Sequence, residues 1–355
     1  MISHRPWWYR PWFYVVLASL LIILHGLSLR YAPAAGDRGE AGLTALSARL
    51  EAIEAQLTHE RFMTVLRQHP NVLILAALLT FGGLGLALIG LWFLVRWLLR
   101  WRLTREFLQA SRQRTPVSWS LGDVGRVIVL MFWWITVFPF IELGYVSLIR
   151  ALGESSSVRQ LVSSTYLCAL VVCAVAFLAR AKGLPLRTAT GLQRQSLGTI
   201  VPRALGGYVT LAPALAGLLF LSSWVARVIG YEPPPHPLSL FFLDETRVAW
   251  LSYGAVFTCV VAPAVEELMF RGVLFPALRA KTSFLAAAMM SGLLFGALHG
   301  NWVSVLPIAS LGVLLAYLYE ITGSLYASIL VHAIHNGLMV LLMFFYRALS
   351  QAVGS

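Results

Sequence analysis

The sequence predicts an all-α fold, a polytopic transmembrane helical bundle of about eight to nine spans. Three observations predict it. Hydrophobic residues make up 59% of the 355 and charged residues 12%, against about 25% charged in a soluble domain. Mean hydropathy is +0.76, which leaves too little polar surface to cover a water-facing globule. Nine apolar stretches approach the ~20 residues a helix needs to cross hydrocarbon. This composition excludes a soluble enzyme, a secreted disulfide scaffold and a disordered chain.

The nine stretches are 12–29, 72–95, 127–149, 161–179, 204–229, 248–270, 284–299, 303–319 and 325–346. Backbone inside a bilayer must satisfy its own hydrogen bonds, so each reads as a helix. A barrel would show alternating segments of ~10 residues, and none occurs. Arg5 and Arg10 precede the first stretch and Ala32-Pro33-Ala34 resembles a cleavage site. The run is nevertheless longer than a signal-peptide core, so a retained anchor is expected. Trp7, Trp8, Trp12, Trp97 and Trp101 read as interfacial belt residues. Gly82, Gly83, Gly85 and Gly90 read as close-packing sites between helices.

Residues 36–69 separate the first two stretches and are polar. Leu43, Leu46, Leu50, Ile53 and Leu57 form one helical stripe, with Arg49, Glu51, Glu54 and Gln56 on the other side. The stripe suits either packing against the chain's own membrane domain or a short coiled coil, hence a homodimer through 43–57. Loop 181–202 is basic and turn-rich, and 230–247 is stiffened by Pro233-Pro234-Pro235 and Pro237.

Net charge is +12, from 27 basic and 15 acidic side chains. With the N-terminus inside, seventeen basic residues fall on the inner side and ten on the outer, and loop acids lean the other way. A cytoplasmic N-terminus is therefore expected. The charge orients the chain in a lipid bilayer, and no aromatic-basic module for nucleic acid is present. Cys168, Cys173 and Cys259 sit in apolar runs without a CxxC and read as buried thiols. Arg outnumbers Lys 25 to 2, which points to a bacterial, high-GC coding sequence and an inner-membrane location.

Ionisable groups inside hydrocarbon cost several kcal/mol and persist with a partner or a function. His25 and Glu142 stand alone and read as locally satisfied polar groups. The last third differs: Glu266, Glu267 and Arg271, then His299, then His332, His335 and Asn336 fall in three neighbouring apolar stretches. Glu267 and Arg271 are four apart and share a helix face, so they read as a structural, orienting ion pair. Glu266 points about 100° away and is left as an unpaired carboxylate. His332 and Asn336 also share a face. A hairpin turning near 281–282 would bring Glu266 and His299 to one level. Glu320 reads as a cap or loop contact.

A carboxylate, two histidines and an amide facing one cavity suit hydrolysis. In one arrangement Glu266 and His299 deprotonate a water while His332 and Asn336 donate to a tetrahedral oxyanion. In the other, Glu266, His299 and His332 bind Zn²⁺, which activates the water. HExxH and GxSxG are both absent. The remaining alternatives are a non-catalytic membrane scaffold or immunity-type binding protein held by a buried polar network, and a transporter, against which the absence of an internal repeat of spans speaks.

The pattern Glu-Glu-x-x-x-Arg, Phe-x-x-x-His and His-x-x-x-Asn resembles the CPBP intramembrane endopeptidases, which include the CAAX prenyl proteases and bacterial relatives. It is carried by Glu266-Glu267 with Arg271, Phe295 with His299, and His332 with Asn336. The resemblance is strong over 248–345 and looser over 183–247. It implies an all-helical membrane protease acting on a membrane protein or peptide. It also implies water activation by Glu266 and His299, an oxyanion site of His332 and Asn336, and no cofactor. The chain then divides into 1–100, an N-terminal transmembrane hairpin with an amphipathic helix near 41–68; 101–124, a basic cytoplasmic linker; and 125–347, the protease domain.

Overall fold

The computed structural model describes residues 9–31, 58–99, 119–151, 156–192, 195–231 and 237–354. The stripe at 43–57, most of the 101–124 linker and the side chains of His25 and Glu142 lie outside the described residues. The chain is a helical bundle embedded in the membrane, and all nine apolar stretches are helical. Six helices among the described residues have the length and hydropathy of a crossing helix.

In chain order the helices are α1 (Pro11–Tyr31), α2 (His59–Gln68), α3 (Pro70–Leu99), α4 (Leu121–Ala151), α5 (Ser156–Ala181), α6 (Leu186–Thr190), α7 (Leu197–Val228) and α8 (Pro237–Asp244). A rod from Val248 to Arg279 follows. It comprises α9 (Val248–Val256), a first π-turn (Phe257–Val261), α10 (Ala262–Met269), a second π-turn (Phe270–Leu274) and α11 (Phe275–Arg279). Then come α12 (Phe284–Ala297), α13 (Trp302–Thr322) and α14 (Leu325–Gly354).

The two π-turns share one construction. In each, an amide donates five residues back, Ala262 to Phe257 and Phe275 to Phe270, and the next residue is Pro263 or Pro276. Such bulges insert a residue, shift helical phase and concentrate at functional sites. Here they bracket Glu266 and Glu267, and the second contains Arg271.

α12 and α13 form a hairpin. Ser283 caps the start of α12 by accepting from the Ala286 amide at 3.3 Å, and Asn301 caps α13 by accepting from Val303 at 2.9 Å. Gly300 (φ 68°) takes the left-handed backbone the turn requires. At Gly292 and Gly296 a Cβ would strike Ala309, Val313 and Val305, so the helices touch backbone to backbone. α12 rises only about 21 Å, short of the ~30 Å hydrocarbon core, so His299 ends inside the bundle's height.

The glycine expectation needs correction. A Cβ at Gly90 would meet the Val209 carbonyl and Pro213, but around Gly82, Gly83 and Gly85 nothing lies within 4 Å. Only Gly90 faces α7, because one face of a peripheral helix meets a neighbour while the rest meets lipid. Cys173 likewise is exposed, whereas Cys168 and Cys259 are half-buried.

Both ends of the bundle are pinned. At one, Asp123 is fully buried. It accepts from Tyr9 Oη at 3.0 Å, Ser120 Oγ at 2.8 Å and Arg126 Nη1 at 2.6 Å, and pairs with Lys182 Nζ at 2.8 Å. Burial alone would raise its carboxyl, but Lys182 and Ser120 outweigh that and hold it below the ordinary carboxylate range. Arg279 Nε donates to the buried Glu320 at 3.1 Å, so Glu320 makes a helix-to-helix contact. At the other end, Phe241 and Phe242 of α8 are buried, and Phe241 occupies the space a side chain at Gly254 would need. The Arg247 guanidinium holds the Glu245 carboxyl down at about 2. α2 packs Val65, with Val72, against Leu349 of α14, so this end of the polar segment lies on the chain's own membrane domain.

Candidate active site

The candidate site forms where α10, the end of α12 and the middle of α14 meet. Glu266 lies about 20 Å along the rod from Arg279, and His299 about as far along the returning arm. Helix rise alone thus gives the two arms similar length.

Glu267 and Arg271 are both fully buried, and Arg271 Nη1 donates to Glu267 Oε1 at 2.8 Å. Arg271 Nη2 donates to the Gly312 carbonyl at 2.9 Å, across the gap left by the glycines. The same Oε1 accepts from His332 Nδ1 at 2.9 Å. A carboxylate already paired with arginine has no proton to give, so Nδ1 carries one. That leaves His332 Nε2 facing Glu266 Oε2 at 3.7 Å. Glu266 is the less enclosed carboxylate, with its side chain 37% exposed against 0% for Glu267.

His299 closes the other side. Its Nδ1 lies 2.7 Å from the Phe295 carbonyl, which can only accept, so Nδ1 is the protonated nitrogen and Nε2 keeps its lone pair. The Phe295 ring is the hub of the site. Its centroid lies 4.8 Å from that of His299, 5.4 Å from His332 and 5.0 Å from Phe270, and 4.6 Å from the Arg271 guanidinium carbon. Asn336, one turn beyond His332, donates from Nδ2 to the Thr258 carbonyl at 2.9 Å.

The structure thus brings Arg271, His299 and His332 around one ring and joins Glu267 and Glu266 to them through His332, with Asn336 one turn further along α14. It turns His335 away, with Nδ1 3.1 Å from Tyr208 Oη on α7. Among the described residues no three His, Cys, Asp or Glu side chains converge as metal ligands. Sequence reasoning missed the hub role of Phe295, the second bond of Glu267 and the carbonyl that holds Asn336. Ala262-Pro263 and Phe275-Pro276 inside an apolar run were the available signals.

Residues 248–338 match the family model described as type II CAAX prenyl endopeptidase Rce1-like. Over that segment the chain is similar to the Rce1-like CAAX proteases. The matched segment runs from α9 to just beyond Asn336 and holds every polar residue of the site. A Bacillus subtilis (strain 168) protein named "Putative membrane peptidase YdiL" is 26% identical over 172 residues, 48% of this chain and 68% of that protein. No solved structure matches the chain. Both likenesses support a membrane protease, and helices α1 to α8 lie outside the matched segment.

Proposed function

We propose that the chain is an endopeptidase that hydrolyses a peptide bond of a membrane-associated protein or peptide with a glutamate-activated water and no metal. The observation that carries the reading is His332 set between two carboxylates, Glu267 at 2.9 Å and Glu266 at 3.7 Å. Glu267 is committed to Arg271 and His332, which leaves Glu266 as the carboxylate open to a reacting group.

A water placed between Glu266 and the His299 lone pair gives its proton to Glu266 as its oxygen attacks the scissile carbonyl carbon. The carbonyl π electrons move onto oxygen, which accepts hydrogen bonds from Asn336 Nδ2 and, when the ring is doubly protonated, from His332 Nε2. Collapse breaks the C–N bond, and the proton held by Glu266 passes to the leaving nitrogen. Glu267 and Arg271 act through His332, whose ring they orient. The charge pattern supports a cytoplasmic N-terminus in a bacterial inner membrane.

The test is cleavage of a peptide library by purified protein in detergent, with and without a strong zinc chelator, for wild type and Glu266→Gln. Expected is cleavage that survives chelation and disappears in the variant. Cleavage retained by Glu266→Gln removes the glutamate mechanism, and cleavage lost to the chelator restores zinc.

A further inference from the structure

Asn336 is held by a carbonyl that its own helix cannot use. In an α-helix the Thr258 carbonyl would accept the amide of Ala262, four residues on. In the first π-turn that amide donates to Phe257 instead. The next donor, at five-residue spacing, is Pro263, which has no N–H. The Thr258 carbonyl is left without a helical donor in apolar surroundings, where an unmet backbone acceptor is costly. Asn336 Nδ2 meets it at 2.9 Å from α14.

We infer that Pro263 is a positioning residue: by withholding an N–H it reserves the Thr258 carbonyl for Asn336 and so orients the carboxamide of the candidate site. A carbonyl can only accept, so it selects the Nδ2 edge of Asn336 over the Oδ1 edge. One Nδ2–H is then engaged and the other remains for an oxyanion. A residue with an N–H at 263 would satisfy Thr258 within the rod and free the carboxamide to rotate. Pro263 is buried and stands in the first turn of α10, where proline is tolerated without any such role; the experiment must separate the two readings. The inference rests on the oxyanion role proposed for Asn336, while its structural half stands apart from catalysis.

Asparagine occurs three times in the chain, at Asn71, Asn301 and Asn336. Labelling with ¹⁵N-asparagine therefore gives three side-chain amides by NMR in detergent, and Asn336→Ala identifies the one lost. Pro263→Val keeps most of the ring's volume and supplies the N–H, and Pro263→Ala supplies it with less bulk. In wild type the two Asn336 amide protons should be widely split, one shifted downfield by its carbonyl partner. In either folded variant the splitting should collapse. The kcat should fall about tenfold with KM unchanged, since small misplacements of a catalytic group carry losses of that order or more. Pro263→Val combined with Asn336→Ala should be no slower than Asn336→Ala alone. Unchanged splitting in both variants overturns the inference, as does a full additional loss in the double variant. If wild type cleaves nothing, the proposed function fails, and the splitting alone decides the role of Pro263.

Discussion

One oxygen of Glu267 serves two partners, accepting from Arg271 Nη1 at 2.8 Å and from His332 Nδ1 at 2.9 Å. The pair that looked purely structural is thereby joined to the His332 face of α14. A helix-internal bond sets the depth of the carboxylate, and the carboxylate in turn sets the ring of a histidine 65 residues away.

Glu267→Gln and Arg271→Gln should lower stability more than Glu266→Gln. Each of the first two leaves a fully buried group of opposite charge without its partner, a loss of about 3–5 kcal/mol. Glu266 has no comparable bond. Thermal unfolding in detergent followed by size-exclusion chromatography checks this; equal midpoints for the three variants would contradict the assignment.

Phe295→Ala should destabilise by about 3–5 kcal/mol, the range for a large buried aromatic, and should abolish cleavage even where protein survives. Phe295→Leu should retain more stability and still lose activity, because leucine fills part of the volume but cannot stack on both histidines and Arg271. Comparing unfolding midpoint with residual turnover separates the two effects.

Asp123→Asn should remove a pH-dependent part of stability. The folded carboxyl sits below its ordinary range, so its contribution is complete above the unfolded value near 4 and is lost as pH falls through the lower folded value. The midpoint difference between wild type and Asp123→Asn should be largest near pH 6–7, on the order of 1–3 kcal/mol for hydrogen bonds to a charged group, and should shrink below about pH 4. A difference independent of pH would show that Asp123 acts by shape alone.

Gly90→Ala and Gly82→Ala should move stability in opposite directions. At Gly90 the new Cβ meets the Val209 backbone carbonyl and Pro213, and neither can yield without parting α3 from α7; overpacking of this kind costs about 1–3 kcal/mol. At Gly82 nothing lies within 4 Å, so alanine should stabilise by roughly 0.5–1 kcal/mol through helix propensity. Parallel unfolding curves in the same detergent settle the sign at each position.

The sequence by itself determined the helical membrane bundle, because lipid imposes a length and an apolarity on every crossing segment that can be read residue by residue. It also determined Glu266, Glu267, Arg271, His299, His332 and Asn336 as candidates, since ionisable and amide groups stand out against an apolar background, and the four-residue spacing of Glu267 and Arg271 is a local property of one helix. Only the tertiary structure decided which groups meet. Phe295 gathers two histidines and an arginine from three segments, His335 turns to Tyr208 while His332 turns to Glu267, and Gly90 touches a neighbour while Gly82 does not. These outcomes depend on the phase and crossing of helices far apart in the chain. The π-turns at 257–261 and 270–274 shift that phase by one residue each, through backbone bonds that no side-chain periodicity records.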